Sequence, residues 1–385
     1  MRNWKLNESN FTILDRLKIA KFFISKSNFW TMDKKVLEFE NAMSDFVGSK
    51  YAVYVSSGST ANTTLAYYLK DTVFTSQKNI VVFPSTTWIT SVSPFLREGF
   101  EPKFIDISLK DLSMDLDELE SFLEGNHQKV ACIFISSLLG LCPDVKRLKF
   151  IQSKYKVKIM LDNCENTFST YKNKNISSYF TSTTSTYFGH QIQSIEGGFV
   201  FTNSEKERDY FTMCRNHGLT RSLKNREKYE NQLVDPKFDF NILGNNFRNT
   251  ELNAYVGMLD LARVEIYKSK RFNLYHQFIN SLQNADTIAS FDCSKEYVNY
   301  PFCIPLIFKD KNSKDKIQKY CDENSVESRP IISGNLLRQT CLKKKGNYKK
   351  FKNSEILNNN GFYVGLHNKI KENQINKLAK EINKL

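Results

Sequence analysis

Between residues 51 and 161, short runs rich in β-branched apolar residues alternate with stretches whose apolar positions recur at helical spacing. This alternation constrains the fold more than any other feature. Strands are expected over 51–55, 80–83, 103–107, 130–136 and 158–161, with helices over 61–70, about 87–97, 115–123 and 145–155. A strand that rejoins its sheet through a helix runs parallel to its predecessor, so the pattern predicts an α/β fold: a mostly parallel sheet with helices on both faces. Ligand sites in such sheets lie beyond the carboxyl ends of the strands. No GxGxxG is present, so a dinucleotide is not indicated.

Several residues at predicted strand ends carry chemistry. Ser56-Ser57-Gly58-Ser59-Thr60 joins strand 51–55 to helix 61–70. Unpaired N–H groups and the positive end of the helix dipole converge at such a turn, and short side chains admit a phosphate. Serines there also act as plain N-caps. Trp88 follows Pro84-Ser85-Thr86-Thr87, and Asp162 ends strand 158–161 in Asp162-Asn163-Cys164-Glu165. A carboxylate at that depth needs a partner, because burying it unpaired is costly. Residues 183–188 read as a further strand, Gly189 as a turn, and Gly197-Gly198 as the break before strand 199–202, which holds His190 between two strands.

The flanking regions organise the rest. Residues 11–47 carry two helical patterns, the second over 34–46 with Gly48 just beyond it, and Phe29-Trp30-Thr31-Met32 lies between them. A helix over 205–215 leads into Asn216-His217-Gly218, with Gly218 suited to a C-cap, and the polar residues 221–237 read as a loop. From about Leu252 a helix enters a smaller C-terminal part. A chain of 385 residues accommodates two domains, expected at 1–251 and 252–385.

Ser185 five residues before His190, then Glu196-Gly197-Gly198 and a strand, resembles the active-site segment of the pyridoxal-phosphate (PLP) sugar aminotransferases of the DegT/DnrJ/EryC1/StrS type. The resemblance extends from about Thr31 to His367. In that family the position of His190 holds the lysine that forms a Schiff base with the cofactor, and here no lysine lies between Lys174 and Lys206. The same replacement marks the family's sugar 3-dehydratase branch. The resemblance implies the PLP-dependent aminotransferase fold type I, with a seven-stranded-type central sheet and a smaller C-terminal α+β domain. It implies that Gly58 and Ser59 cradle the cofactor phosphate, that Trp88 stacks on the pyridine ring, and that Asp162 pairs with the pyridine nitrogen. Glu165 and Ser185 would stand beside the cofactor. In Gly244-Asn245-Asn246-Phe247-Arg248-Asn249-Thr250-Glu251, Asn246 would reach the phosphate of a neighbouring subunit, with Arg248 near it, so that a homodimer shares its active sites. Thr31, Met32, His217 and Arg329, the last within Ser328-Arg329-Pro330, would face the substrate.

The implied reaction is loss of the C-3 hydroxyl from a nucleotide-linked 4-keto-6-deoxyhexose, GDP-4-keto-6-deoxymannose in the nearest branch. The cofactor would work as pyridoxamine phosphate (PMP), regenerated by L-glutamate, with His190 as base and then acid. Three other readings remain open: a sugar 4-aminotransferase, a CDP-sugar 3-dehydrase, and an inactive relative with a binding role. The CDP-sugar enzyme carries an iron–sulfur cluster, which needs four gathered thiolates. The eight cysteines here include no CxxC and no close pair, so no cluster and no metal are expected, and reduced thiols suit the cytoplasm. Asp33, Ser56, Gln191 and Ile195 depart from the family's usual residues. The last three bear on the sugar and base more than on the reaction.

The excess of 55 Lys and Arg over 41 Asp and Glu suits an acidic substrate as well as nucleic acid. The basic residues are spread along the chain without an arginine-rich block or zinc-finger spacing, which argues against a nucleic-acid partner. No apolar run reaches membrane-spanning or signal-peptide length, so no membrane association is expected.

Overall fold

The alternating segment builds a seven-stranded sheet in the computed structural model, which describes residues 3–24, 29–229, 231–283 and 296–385. Helices α1 (Ile13–Ile24) and α2 (Lys34–Val47) precede β1 (Tyr51–Val55), α3 (Gly58–Thr72), β2 (Ile80–Pro84), α4 (Ser93–Arg97), β3 (Glu101–Ile105) and α5 (Leu116–Asn126). Then come β4 (Val130–Ser136), α6 (Val145–Tyr155), β5 (Lys158–Asp162), the two-residue strands β6 (Thr170–Tyr171) and β7 (Lys174–Asn175), β8 (Thr181–Ser185), β9 (Gly198–Thr202) and α7 (Glu205–Arg215). The order across the sheet is β1-β9-β8-β5-β4-β2-β3. Only β9 runs against its neighbours, β1 and β8.

Burial explains the order. Every residue of β4 is buried, as expected for a central strand covered on both faces. Its side chains alternate between two cores. Cys132 and Phe134 pack with Leu65 and Leu69 of α3, while Ile133 and Ile135 pack with Leu119 of α5 and Leu148 of α6.

Beyond α8 (Glu251–Leu261) and α9 (Val264–Asn280) lie β10 (Tyr297–Val298), β11 (Cys303–Ile307), α10 (Lys311–Glu323), β12 (Ser328–Arg329), α11 (Lys352–Asn360), β13 (Gly361–Gly365) and α12 (Glu372–Ile382). Strands β11, β13 and β12 form an antiparallel sheet, and β10 joins β6 and β7 in another. Helix α12 buries Ile375, Leu378, Ala379 and Ile382, one stripe at helical spacing, in the C-terminal core. The N-terminal segment belongs to that core as well, since the Trp4 indole N–H donates to the Gly365 carbonyl at 2.9 Å.

Two local expectations are corrected. The strand read over 183–188 ends at Ser185; Tyr187 and Phe188 are exposed, so their aromatic character serves a loop and not the sheet. The helix read over 87–97 is broken into a 3-10 turn at Ile89–Ser91 and the short α4, with Pro94 in its first turn. Residues 221–237, read as a loop, carry the 3-10 turn Arg226–Lys228, and a second, Pro236–Phe238, begins at their end. Gly218, at φ +90°, donates its N–H to the Met213 carbonyl and closes the end of α7.

Candidate active site

The carboxyl ends of β1, β2, β4, β5 and β8 open into one cleft of about 670 Å³. Its opposite wall comes from Arg271 of α9, Phe302, Cys303, Arg329 of β12 and Tyr363 of β13. At the start of α3, Ser57 accepts from the Thr60 N–H at 3.1 Å while Thr60 Oγ1 accepts from the Ser57 N–H at 2.9 Å, a reciprocal cap that fixes the turn. The first-turn N–H groups of Gly58 and Ser59 remain, which the helix cannot itself satisfy. A Cβ on Gly58 would stand 2.8 Å from Cys164 Sγ and 2.9 Å from Ser185 Cβ. Only glycine leaves that floor open.

Asp162 ends β5 with 7% of its surface exposed. One carboxylate oxygen accepts from Asn62 Nδ2 at 2.8 Å and Ser91 Oγ at 2.7 Å, and the other from the Cys164 N–H at 3.0 Å. These bonds fix its position at the floor of the cleft. Trp88 leaves 55% of its surface exposed at the cleft, a free apolar face unusual for a tryptophan. The Ser185 hydroxyl accepts from the Tyr187 N–H at 3.2 Å and helps turn the chain out of β8.

His190 sits in the loop so formed, its N–H donating to the Tyr187 carbonyl at 2.9 Å and its ring 5.6 Å from that of Phe302. The ring Nδ1 is buried and has no hydrogen-bond partner among the described residues. Burial pushes the imidazole down to about 4, outweighing the pull of Asp162 and the Cys164 carbonyl toward the charged form. At neutral pH it is an uncharged base. Glu165 accepts from the Leu139 N–H at 3.0 Å, and burial, with the charge of Asp162 adding to it, pushes its carboxyl up to about 8. Among the described residues lining the cleft there is no lysine.

The cleft therefore gathers Gly58, Ser59, Trp88, Asp162, Glu165, Ser185, His190 and Arg329. It does not gather Thr31, Met32, His217, Asn246 or Arg248. Those five form a second group: Thr31 bridges Thr250, Met32 sits at φ +54° on the core beside α2, and Asn246 bridges Asn216 next to His217 at φ +62°. Arg248 Nε donates to Asn246 Oδ1 at 2.9 Å. The segment carrying them abuts the phosphate turn, since the Ser56 N–H donates to the Phe247 carbonyl at 2.9 Å.

Sequence reasoning missed Asn62 and Ser91, which hold Asp162, and Arg271, which lines the cleft. A polar Asn62 on the inner face of α3 was a usable signal. Nothing distinguishes Arg271 within the basic helical stretch Lys268-Ser269-Lys270-Arg271.

The donor set fits a phosphorylated pyridine: a phosphate-sized turn at a helix start, an aromatic face, a held carboxylate, and an unpartnered imidazole nitrogen. Comparison with known proteins agrees. The chain is 29% identical to GDP-4-keto-6-deoxy-D-mannose 3-dehydratase of Yersinia pseudotuberculosis over 365 residues, 89% of each sequence. It is 28% identical to the protein of that name from Escherichia coli O55:H7, covering 95% of this chain and 96% of that one. The solved E. coli GDP-4-keto-6-deoxy-D-mannose-3-dehydratase with bound hydrated PLP superposes with a TM-score of 0.89 at 27% identity, over 99% of this chain and 100% of that one. A structure of GDP-4-keto-6-deoxymannose-3-dehydratase with a trapped PLP–glutamate geminal diamine gives 0.88 at 26%, with the same coverage. Helicobacter pylori PseC, at 18% identity and a TM-score of 0.85 over 100% of this chain and 99% of that one, shares the fold. With the family model matching residues 20–383, this chain belongs to the DegT/DnrJ/EryC1/StrS aminotransferase family.

Proposed function

We propose that the protein is a PLP/PMP-dependent nucleotide-sugar 3-dehydratase, a lyase acting on GDP-4-keto-6-deoxymannose, with L-glutamate as amino donor. The observation that carries this reading is His190: a neutral imidazole with a buried unbonded nitrogen, in a family cleft where no lysine lines the described wall. The relatives with the same printed activity support the sugar and the nucleotide. The glutamate adduct in one of them supports the donor.

Gly58 and Ser59 would hold the cofactor phosphate, Trp88 its ring, and Asp162 its ring nitrogen. Bound there, the cofactor supplies an amine for the sugar's C-4 ketone and an electron sink. His190, uncharged at pH 7, takes up a proton and passes it to the departing C-3 hydroxyl oxygen, so one residue serves as base and then acid. Over a full cycle L-glutamate is oxidised to 2-oxoglutarate and ammonia while the sugar exchanges its C-3 hydroxyl for hydrogen, which balances atoms and electrons. A lysine at this place would favour return of the proton to the sugar C-4 and transamination.

The reading includes a cytoplasmic homodimer with shared sites, no iron–sulfur cluster, and a division into domains 1–251 and 252–385. Exposed apolar residues of α1 (Ile13, Leu14, Leu17) and of the loop before α8 (Leu233, Phe238, Phe240, Leu243) support a partner surface. Asn246 and Arg248, outside the cleft of their own chain, would serve the neighbour's. The product suits 3,6-dideoxyhexose formation such as that of colitose in O-antigen. The test is spectroscopic. PLP-loaded protein mixed with L-glutamate should convert to the PMP absorbance with release of 2-oxoglutarate, and His190→Asn should lower sugar turnover at least ~10²-fold, the usual contribution of a positioned acid–base group. Absence of conversion, or near-normal turnover in the variant, contradicts the proposal.

A further inference from the structure

The run from Trp4 to Asn10 passes along the cleft and is tied to both of its walls. On the side of the C-terminal sheet, Trp4 makes a parallel bridge to Val326, its N–H donating to the Ser325 carbonyl at 2.9 Å and its carbonyl accepting from the Glu327 N–H at 2.8 Å. The Leu6 N–H donates to Glu327 Oε2 at 3.0 Å, and His367 Nε2 donates to the Lys5 carbonyl at 3.1 Å. Strand β13 leaves room for this run, since a Cβ on Gly365 would stand 2.3 Å from the Lys5 carbonyl oxygen. Residues 4–6 are thus fixed before the chain reaches the other wall.

That wall is the His190 loop. Asn7 Nδ2 donates to the Phe188 carbonyl at 2.5 Å, and Leu6 and Asn7 line the cleft together with Phe188 and His190. His190 is held through its flanks. After it, the Gln191 side chain donates to the Tyr300 carbonyl at 2.9 Å and accepts from the Thr167 N–H at 2.8 Å. Before it, Tyr187 and Phe188 are exposed, and among the described residues Asn7 supplies the bond to the Phe188 carbonyl. Without that bond the carbonyl turns to water, and the first limb of an exposed loop gains freedom to move. Asparagine suits the place because its amide donates, where an aspartate would set oxygen against oxygen. We infer that Asn7 is a positioning residue for His190: by pinning Phe188 to a segment itself fixed on the C-terminal sheet, it keeps the imidazole seated in the cleft. Its part in turnover rests on the proposed reading of His190 as the acid–base group, for which a displacement of about 1 Å can cost roughly 10²-fold.

The test reads the ring directly, by NMR titration of His190 in ligand-free protein. Asp162 from β5 and Arg271 from α9 are the charges that act on it, and Asn7→Ala alters neither. Wild type should titrate near 4. Asn7→Ala should titrate higher by about one pH unit or more, because a loosened loop admits water to the ring and relieves the desolvation that holds it down. With PLP and L-glutamate supplied, the same variant should lose about 10-fold or more in kcat on GDP-4-keto-6-deoxymannose while KM stays within about twofold, since Asn7 holds the loop and not the sugar. Asn7→Gln, which keeps the amide on a longer stem and is the safer variant for folding, should fall between wild type and Asn7→Ala on both readouts. An unmoved midpoint in Asn7→Ala, a midpoint in Asn7→Gln as high as that of Asn7→Ala, or a loss expressed in KM and not in kcat overturns the assignment. Should the midpoint rise as expected while kcat is unchanged, the seating of the loop stands and the reading of His190 as the acid–base group falls.

Discussion

His190 owes its chemistry to where the loop buries it. An imidazole in water titrates near 6.5, but here desolvation brings it to about 4, so the folded protein takes the proton later than the unfolded chain as pH falls. By linkage the unfolded state binds more protons between those values, and stability contributed by the neutral ring is lost as pH drops from 6.5 toward 4. We predict that His190 in ligand-free protein shows an NMR titration midpoint near 4, and that wild type loses more stability than His190→Asn across this interval. A midpoint near 6.5 contradicts the burial argument. At this scale the sequence was partly legible. Asp162 and His190 stood out because a strand end and a glycine-bounded loop are places where polar residues need a reason. Asn62 and Ser91, which position Asp162, and Arg271, which lines the same cleft, did not, because their partners lie far off in sequence and only the fold brings them together.

Among the elements, α2 shows how a helix can be capped from elsewhere in the chain. Asp33 at its N-cap makes no side-chain bond to the first turn. Instead Glu251, itself the first residue of α8, accepts from the N–H groups of Asp33 at 2.9 Å, Lys35 at 2.7 Å and Val36 at 3.0 Å. One buried carboxylate thus serves the positive ends of two helices. Glu251→Ala should lower unfolding free energy by about 2–3 kcal/mol, since it strands buried donors, whereas Asp33→Ala should change it by no more than about 0.5 kcal/mol. Denaturant titration checks both, and equal losses would contradict the capping account. The strands over 51–55 and 130–136 and the helix over 145–155 were legible because one local period governs each. The loop at 186–197 was not, since Tyr187 and Phe188 have strand-like character but turn to the cleft.

For the whole molecule, the alternating pattern made the parallel sheet readable, and the reversal of β9 was not, because direction within a sheet depends on long-range pairing. The proposed sharing of sites between subunits adds a prediction. Mixed dimers of His190→Asn and Asn246→Ala chains should recover about a quarter of wild-type turnover, since half the dimers are mixed and each holds one intact site. Additive residual activity alone would contradict sharing. The most direct test of the central claim is the mass of the sugar released when the protein is incubated with PLP, L-glutamate and GDP-4-keto-6-deoxymannose. The account predicts a product lighter than the substrate by one oxygen atom and free of nitrogen at C-4; a product carrying an amino group at C-4 with its C-3 hydroxyl retained would contradict it.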